Sequence, residues 1–142
     1  MPDDPQYMRG YTPEQQGWVT IEGVELESRN GPLSIYGLNQ KNMPCAVCYV
    51  ERETTIMIPA TDICPRGWVE EYDGYLMTAV SKSGYEDKRT MFECVDRFPD
   101  TVRGLGGNTN GAVFYHVEAR CNGLACPPYN PQRELACVVC SK

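Results

Sequence analysis

The chain has 142 residues and a mass of 16.0 kDa, the size of one compact unit, so a single domain over 1–142 is expected. Lys+Arg total 13 against 19 Asp+Glu, a net charge of -6, which is the reverse of the basic footprint that a phosphate backbone selects. No run approaches the roughly 18 apolar residues of a spanning helix, so the composition points away from both nucleic-acid binding and membrane insertion.

In chain order, the apolar pattern is short and alternating or short and continuous, with β-branched and aromatic residues set between Gly, Pro and Asn clusters, which is the grammar of strands. Strands are expected at Trp18 to Leu26, Ala46 to Val50, Thr54 to Ile58, Tyr75 to Val80, Thr90 to Val95, Ala112 to Ala119 and Leu135 to Cys140. Trp68 to Tyr72, after Pro65, reads as a single helical turn. The stretch Ser81 to Arg89 is polar and reads as a solvated connection. Gly104 to Gly111, GLGGNTNG, holds four glycines and two asparagines in eight residues and is a shaped or mobile loop. Asn122-Gly123, between Cys121 and Cys126, reads as a turn tip clamped by a local disulfide, with Pro127-Pro128 stiffening its exit. The fold class is therefore all-β and disulfide-stitched.

An internal repeat organises these elements. Pro5, Arg9, Gly10 and Gly17 recur as Pro99, Arg103, Gly104 and Gly111 at a constant offset of 94. After a one-residue slip Val24-Glu25 matches Val117-Glu118, and after another PCAVC at 44–48 matches ACVVC at 136–140. Divergent duplication makes 49–142 a complete pseudo-repeat and 1–48 the latter half of another, so that the chain begins in mid-repeat. The start MPDDPQYM lacks a basic-then-apolar secretory pattern, and any signal peptide is expected to have been removed.

The 8 Cys, about 6% of the chain, are a density of secreted proteins and metal modules. Two pairs have CxxC spacing, Cys45/Cys48 and Cys137/Cys140, and three chemistries are open to them. Zinc would need both knuckles to converge through the tertiary fold. A redox pair would need a helix N-terminus, whereas both pairs sit in Val-rich strand sequence. Structural disulfides to other cysteines are the simplest reading, and no metal or cofactor is assigned.

Catalysis would need His116 beside a nucleophile or paired carboxylates. In Phe-Tyr-His-Val-Glu, alternation places Phe114, His116 and Glu118 on one face and Tyr115 and Val117 on the other, so His116 reads first as a hydrogen-bonded strand histidine. GLGGNTNG does not lead from a strand into a helix and is no nucleotide cradle. The chain is not read as an enzyme.

A family resemblance now enters. Cys64-Pro65-Arg66-Gly67-Trp68, followed by Asp73-Gly74-Tyr75-Leu76-Met77-Thr78-Ala79, resembles the non-collagenous C-terminal domain of type IV collagen. Phe92-Glu93-Cys94, Phe114-Tyr115, Cys45-Ala46-Val47-Cys48 and the terminal Cys137-Val138-Val139-Cys140-Ser141-Lys142 look like further landmarks of that family. The whole chain is similar to the C-terminal region of sponge and cnidarian short-chain, spongin-like collagens, through Pro44 to Val50, Met57 to Ala60, Asn108 to Glu118 and Cys126 to Tyr129. It also resembles small marine invertebrate lectins, including crinoid LacNAc-binding and sponge N-acetylhexosamine lectins. The resemblance implies a secreted tandem pseudo-repeat of short antiparallel strands that associates as homotrimers or higher oligomers. It further implies bonds from Cys64 to Cys140, Cys94 to Cys137 and Cys121 to Cys126. The Cys-Pro run of the first repeat is absent, as is a cysteine expected just before Met1, which leaves Cys45 and Cys48 either without upstream partners or re-paired.

Two functions follow as expectations. As a lectin, the chain would read sugar hydroxyls with Asn108, Asn110, His116, Glu118 and Arg120 around the Gly-rich loop, and with Trp68, Tyr72 and Asp73 after the Cys-Pro turn, an aromatic ring covering the C–H face of the sugar. As an assembly module of a collagen-like matrix protein, it would trimerise through exposed Tyr and Met residues. The sequence holds no Gly-x-y tract to assemble, whereas weak sugar sites gain from oligomerisation on a multivalent glycan or glycoprotein, so the lectin leads.

Overall fold

The computed structural model describes residues 23–28, 31, 33, 37–80, 89–102 and 111–142. Six strands form one sheet: β1 (Val24–Glu27), β2 (Thr55–Pro59), β3 (Val69–Val80), β4 (Arg89–Asp96), β5 (Ala112–His116) and β6 (Ala136–Ser141). Among the described residues there is almost no helix.

β3 is the hub. Met77 and Thr78 pair with β4 on one side and with β5 on the other, and Gly74 and Tyr75 pair with β4 on one side and with β6 on the other. β5 and β6 therefore lie end to end along the same edge of β3, and the sheet forks there. β2 continues the fork antiparallel to β6, and β1 continues it parallel to β5. The parallel pair departs from an all-antiparallel expectation. The outer edge of β1 is covered by the chain at 40–43, through Leu26 N–H to the Lys41 carbonyl and Met43 N–H to the Val24 carbonyl.

Trp68 to Tyr72 is not a helical turn. Only Pro65 to Trp68 turns, closed by Trp68 N–H to the Pro65 carbonyl and by Gly67 at φ 85, and β3 then begins at Val69. A register shift between Glu70 and Tyr72 breaks the alternation along β3, and β6 supplies a ladder that no local pattern encodes. Ala46 to Val50 pairs with no strand among the described residues. The first five positions of the expected Trp18 strand, and Ser81 to Lys88, lie outside the described residues.

Disulfides join Cys64 to Cys140, Cys94 to Cys137 and Cys121 to Cys126. These bonds remove Cys137 and Cys140 from any shared zinc site or redox pair, while Cys45 and Cys48 are free and exposed, not bridged to other cysteines. β4 and β6 lie on opposite sides of β3, which in a flat sheet would set them about 9.5 Å apart, yet the Cα atoms of Cys94 and Cys137 are 5.7 Å apart. The sheet is rolled sharply at Gly74, where an added Cβ would stand 1.8 Å from the Val95 carbonyl oxygen. The core packs Leu26, Leu33, Met77 and Val95, with Leu38, Met43, Tyr75 and Phe114 against them.

Candidate functional site

The fork places a polar cluster beside the core. Where β5 leaves β3, Val117 N–H bonds the Leu76 carbonyl; where β6 approaches, Leu76 N–H bonds the Leu135 carbonyl. The segments on either side are tied by Leu135 N–H to the Val117 carbonyl, Ala119 N–H to the Arg133 carbonyl and a bridge between Glu118 and Glu134. His116 ends β5 at this point, and its ring and that of Tyr75 meet at right angles with centroids 5.4 Å apart.

Its Nε2 lies 3.0 Å from the Ser28 hydroxyl oxygen, a bond spanning 88 residues of sequence. Ser28 follows β1 directly and is itself fixed by its N–H to the Asn39 side-chain oxygen at 2.9 Å. Gly31 closes the cluster from above: a Cβ there would lie 2.8 Å from His116 Cδ2, 2.8 Å from Ser28 Oγ and 2.9 Å from Glu134 Oε1. The group is thus drawn from four separate stretches of chain.

Burial pushes the His116 imidazole below its ordinary range, so at neutral pH the ring is uncharged. Its Nδ1 is buried and has no hydrogen-bond partner among the described residues. Burial first, and then the neighbouring Glu118 charge, push the Glu134 carboxyl up, with Arg133 opposing. Opposed residues of an antiparallel bridge carry Cβ atoms about 5 Å apart, so Glu118 and Glu134 form a like-charge pair that costs stability unless something with donor groups lies between them. Ser28 and His116 resemble a nucleophile and base, but Ser28 is only 2% exposed and no acid orients Nδ1 among the described residues, so the pair is better suited to holding a ring than to attacking a substrate.

The eight residues expected to bind ligand do not fall into one place. His116 and Glu118 come together, and Arg120 follows them, exposed. Trp68, Tyr72 and Asp73 lie toward the other end of β3; Tyr72 is five residues from Met77, the partner of His116, roughly 17 Å along a strand. The polar groups of Tyr72 and Asp73 are occupied: the Tyr72 hydroxyl donates to the Cys94 carbonyl at 3.0 Å, and Asp73 pairs with Arg97. Burial, with the charges of Glu93, Asp96 and Cys48, pushes the Tyr72 phenol up. Asn108 and Asn110 lie outside the described residues. Ser28, Gly31 and Glu134 carry no signal of a site in the sequence, and Tyr75 reads there only as a strand residue. The repeat of Val24-Glu25 as Val117-Glu118 marks two of the stretches that meet here, but nothing local ties Ser28 to His116.

No family model matches the chain, and no solved structure matches it.

Proposed function

We propose that the chain is a secreted carbohydrate-binding protein whose sugar site is the fork cluster of His116, Glu118 and Glu134, with Arg120 at its rim, and that it takes glycans containing N-acetylhexosamine. The observation that carries the reading is the pair of carboxylates opposed across the Glu118–Glu134 bridge beside an uncharged imidazole. Vicinal sugar hydroxyls are neutral donors; bonded to both carboxylates, they relieve the repulsion without bringing in a counter-charge. Three intramolecular disulfides support an oxidising, extracellular setting. The resemblance to invertebrate lectins and to the type IV collagen C-terminal domain supports the sugar class, a tandem pseudo-repeat fold and a homotrimer that gains avidity.

The test is binding to immobilised N-acetyllactosamine and N-acetylhexosamine glycans. Glu118→Gln or Glu134→Gln removes a charge-assisted bond worth about 1.5–3 kcal/mol, which lowers affinity at least tenfold. Unchanged binding in both variants refutes the site; no binding by the native protein to a broad glycan array refutes the function.

The assembly-module reading has one feature of its own: Met91 and Phe92 on β4 and Phe98 just beyond it are exposed apolar side chains suited to contact between chains. A strictly monomeric mass in solution argues against it.

A further inference from the structure

Asn-Gly occurs three times in the sequence, at 30–31, 110–111 and 122–123. The pair carries a chemistry of its own. The backbone nitrogen after an asparagine can attack the side-chain amide carbon, and glycine, having no side chain, hinders that approach least. Folding decides where the attack can happen. Asn30 and Asn110 lie outside the described residues, but Gly31 and Gly123 are described and their surroundings are opposite.

Gly31 is hemmed in. A Cβ there would lie 2.8 Å from His116 Cδ2, 2.8 Å from Ser28 Oγ and 2.9 Å from Glu134 Oε1. Around Gly123 nothing lies within 4 Å of the same position, and every residue from Cys121 to Pro128 is exposed. The Gly123 N–H donates no hydrogen bond among the described residues, so the attacking nitrogen is not held elsewhere. Gly123 also sits at φ 90, where an L side chain is strained. The turn closed by the Cys121–Cys126 bond therefore requires the one residue type that leaves this nitrogen open.

We infer that Asn122 is a site of spontaneous covalent modification in the folded protein, where the side-chain amide is lost and isoaspartate or aspartate is formed. The Gly123 nitrogen bonds to Asn122 Cγ, the bond from Cγ to the side-chain nitrogen breaks, and that nitrogen leaves as ammonia with the proton that Gly123 gives up. Water then opens the resulting succinimide at either carbonyl. Opening at one restores the ordinary backbone as aspartate; opening at the other routes the backbone through the side chain and adds one methylene to the loop between Cys121 and Cys126. No electrons are exchanged, and water is the only co-reactant. Either product adds a negative charge to a chain of net charge -6, two residues from Arg120. The inference rests on the turn and not on sugar binding, so either can fail without the other.

The full chain, with its disulfides intact, is held at mildly alkaline pH, and samples taken over time are reduced and digested with trypsin. Asn122 is read in the peptide 121–133, which also contains Asn130. Asn130 is followed by Pro131, which has no N–H with which to attack, so it serves as an internal control. Conversion appears as the mass gain from amide to acid at Asn122, with isoaspartate told from aspartate by its methylation with an isoaspartate methyltransferase. Reaction at a crowded glycine proceeds only through local opening, so in the folded chain conversion at Asn30 lags that at Asn122 by about tenfold or more. In the reduced chain unfolded in guanidinium the lag is lost. Two results overturn the inference: Asn122 keeping its amide in the folded chain over the time in which the unfolded chain loses it, or equal rates at Asn30 and Asn122 in the folded chain.

Discussion

Gly74→Ala probes the roll of the sheet on which the fork depends. The new methyl carbon would stand 1.8 Å from the Val95 carbonyl oxygen, 2.7 Å from its carbon and 3.0 Å from the Arg97 nitrogen, all of them backbone atoms that no rotamer change can move. Relief needs β4 to retreat by more than 1 Å from β3, taking with it Arg97 N–H to the Asp73 carbonyl, the Arg97–Asp73 pair and Cys94, which is anchored to Cys137. The clash exceeds ordinary overpacking of about 1–3 kcal/mol, so a loss of about 3 kcal/mol or more is expected. For a chain of this length that lowers the thermal midpoint by roughly 10 °C. Gly23→Ala is the control, because nothing lies within 4 Å of its Cβ and the residue is not at positive φ, so it shifts stability by less than about 0.5 kcal/mol. Calorimetry of both variants with disulfides intact decides the matter; equal midpoints would refute the account of the roll.

Three further outcomes are expected. Loop-closure entropy assigns about 4.5 kcal/mol to the 64–140 bond, about 4 to 94–137 and about 2 to 121–126, from sequence separations of 76, 43 and 5, so urea midpoints of the paired Cys→Ser variants fall in that order. The unfolded His116 ring takes up its proton near pH 6.5, whereas the folded ring resists it, so its contribution to stability is complete above about pH 6.5 and is lost as pH falls toward the lowered value; His116→Gln flattens that part of the stability–pH curve. Glu134 has the opposite sign. Its folded carboxyl holds a proton more tightly than the unfolded one, so its contribution is present below pH 4.5 and lost as pH rises through the folded value, and Glu134→Gln raises the midpoint at pH 7 but not at pH 4.

Much of the strand inventory was legible because short β-branched and aromatic runs between turn residues have few other uses. Five of the expected strands, at 18–26, 54–58, 90–95, 112–119 and 135–140, overlap observed ones, and the strand expected at 75–80 is the second half of a longer one. Its first half was hidden because Glu70, Glu71 and the bulge before Tyr72 erase the period-two pattern, and because β6, which pairs with it, lies some 65 residues downstream. Ala46 to Val50 has strand composition but pairs with no strand among the described residues, and composition cannot supply a partner. Asn122-Gly123 was readable as a turn, with Gly123 at φ 90, because its geometry is local. The fork cluster was only partly readable. His116 and Glu118 stand out as polar residues on an apolar strand, but Ser28, Gly31 and Glu134 become neighbours only when β1 pairs with β5 and the chain at 133–135 returns beside 117–119. Gly31 could not be recognised in advance, since its want of a side chain matters only against the three atoms that crowd it.

The most direct measurement is NMR of the His116 ring during titration with N-acetyllactosamine, since this is the only histidine in the chain and its signals need no assignment. Sugar seated between Glu118 and Glu134 shifts both ring protons in a saturable way, and the shift is lost in Glu134→Gln. Saturable binding that leaves the ring signals unmoved would put the sugar elsewhere and contradict the fork as its site.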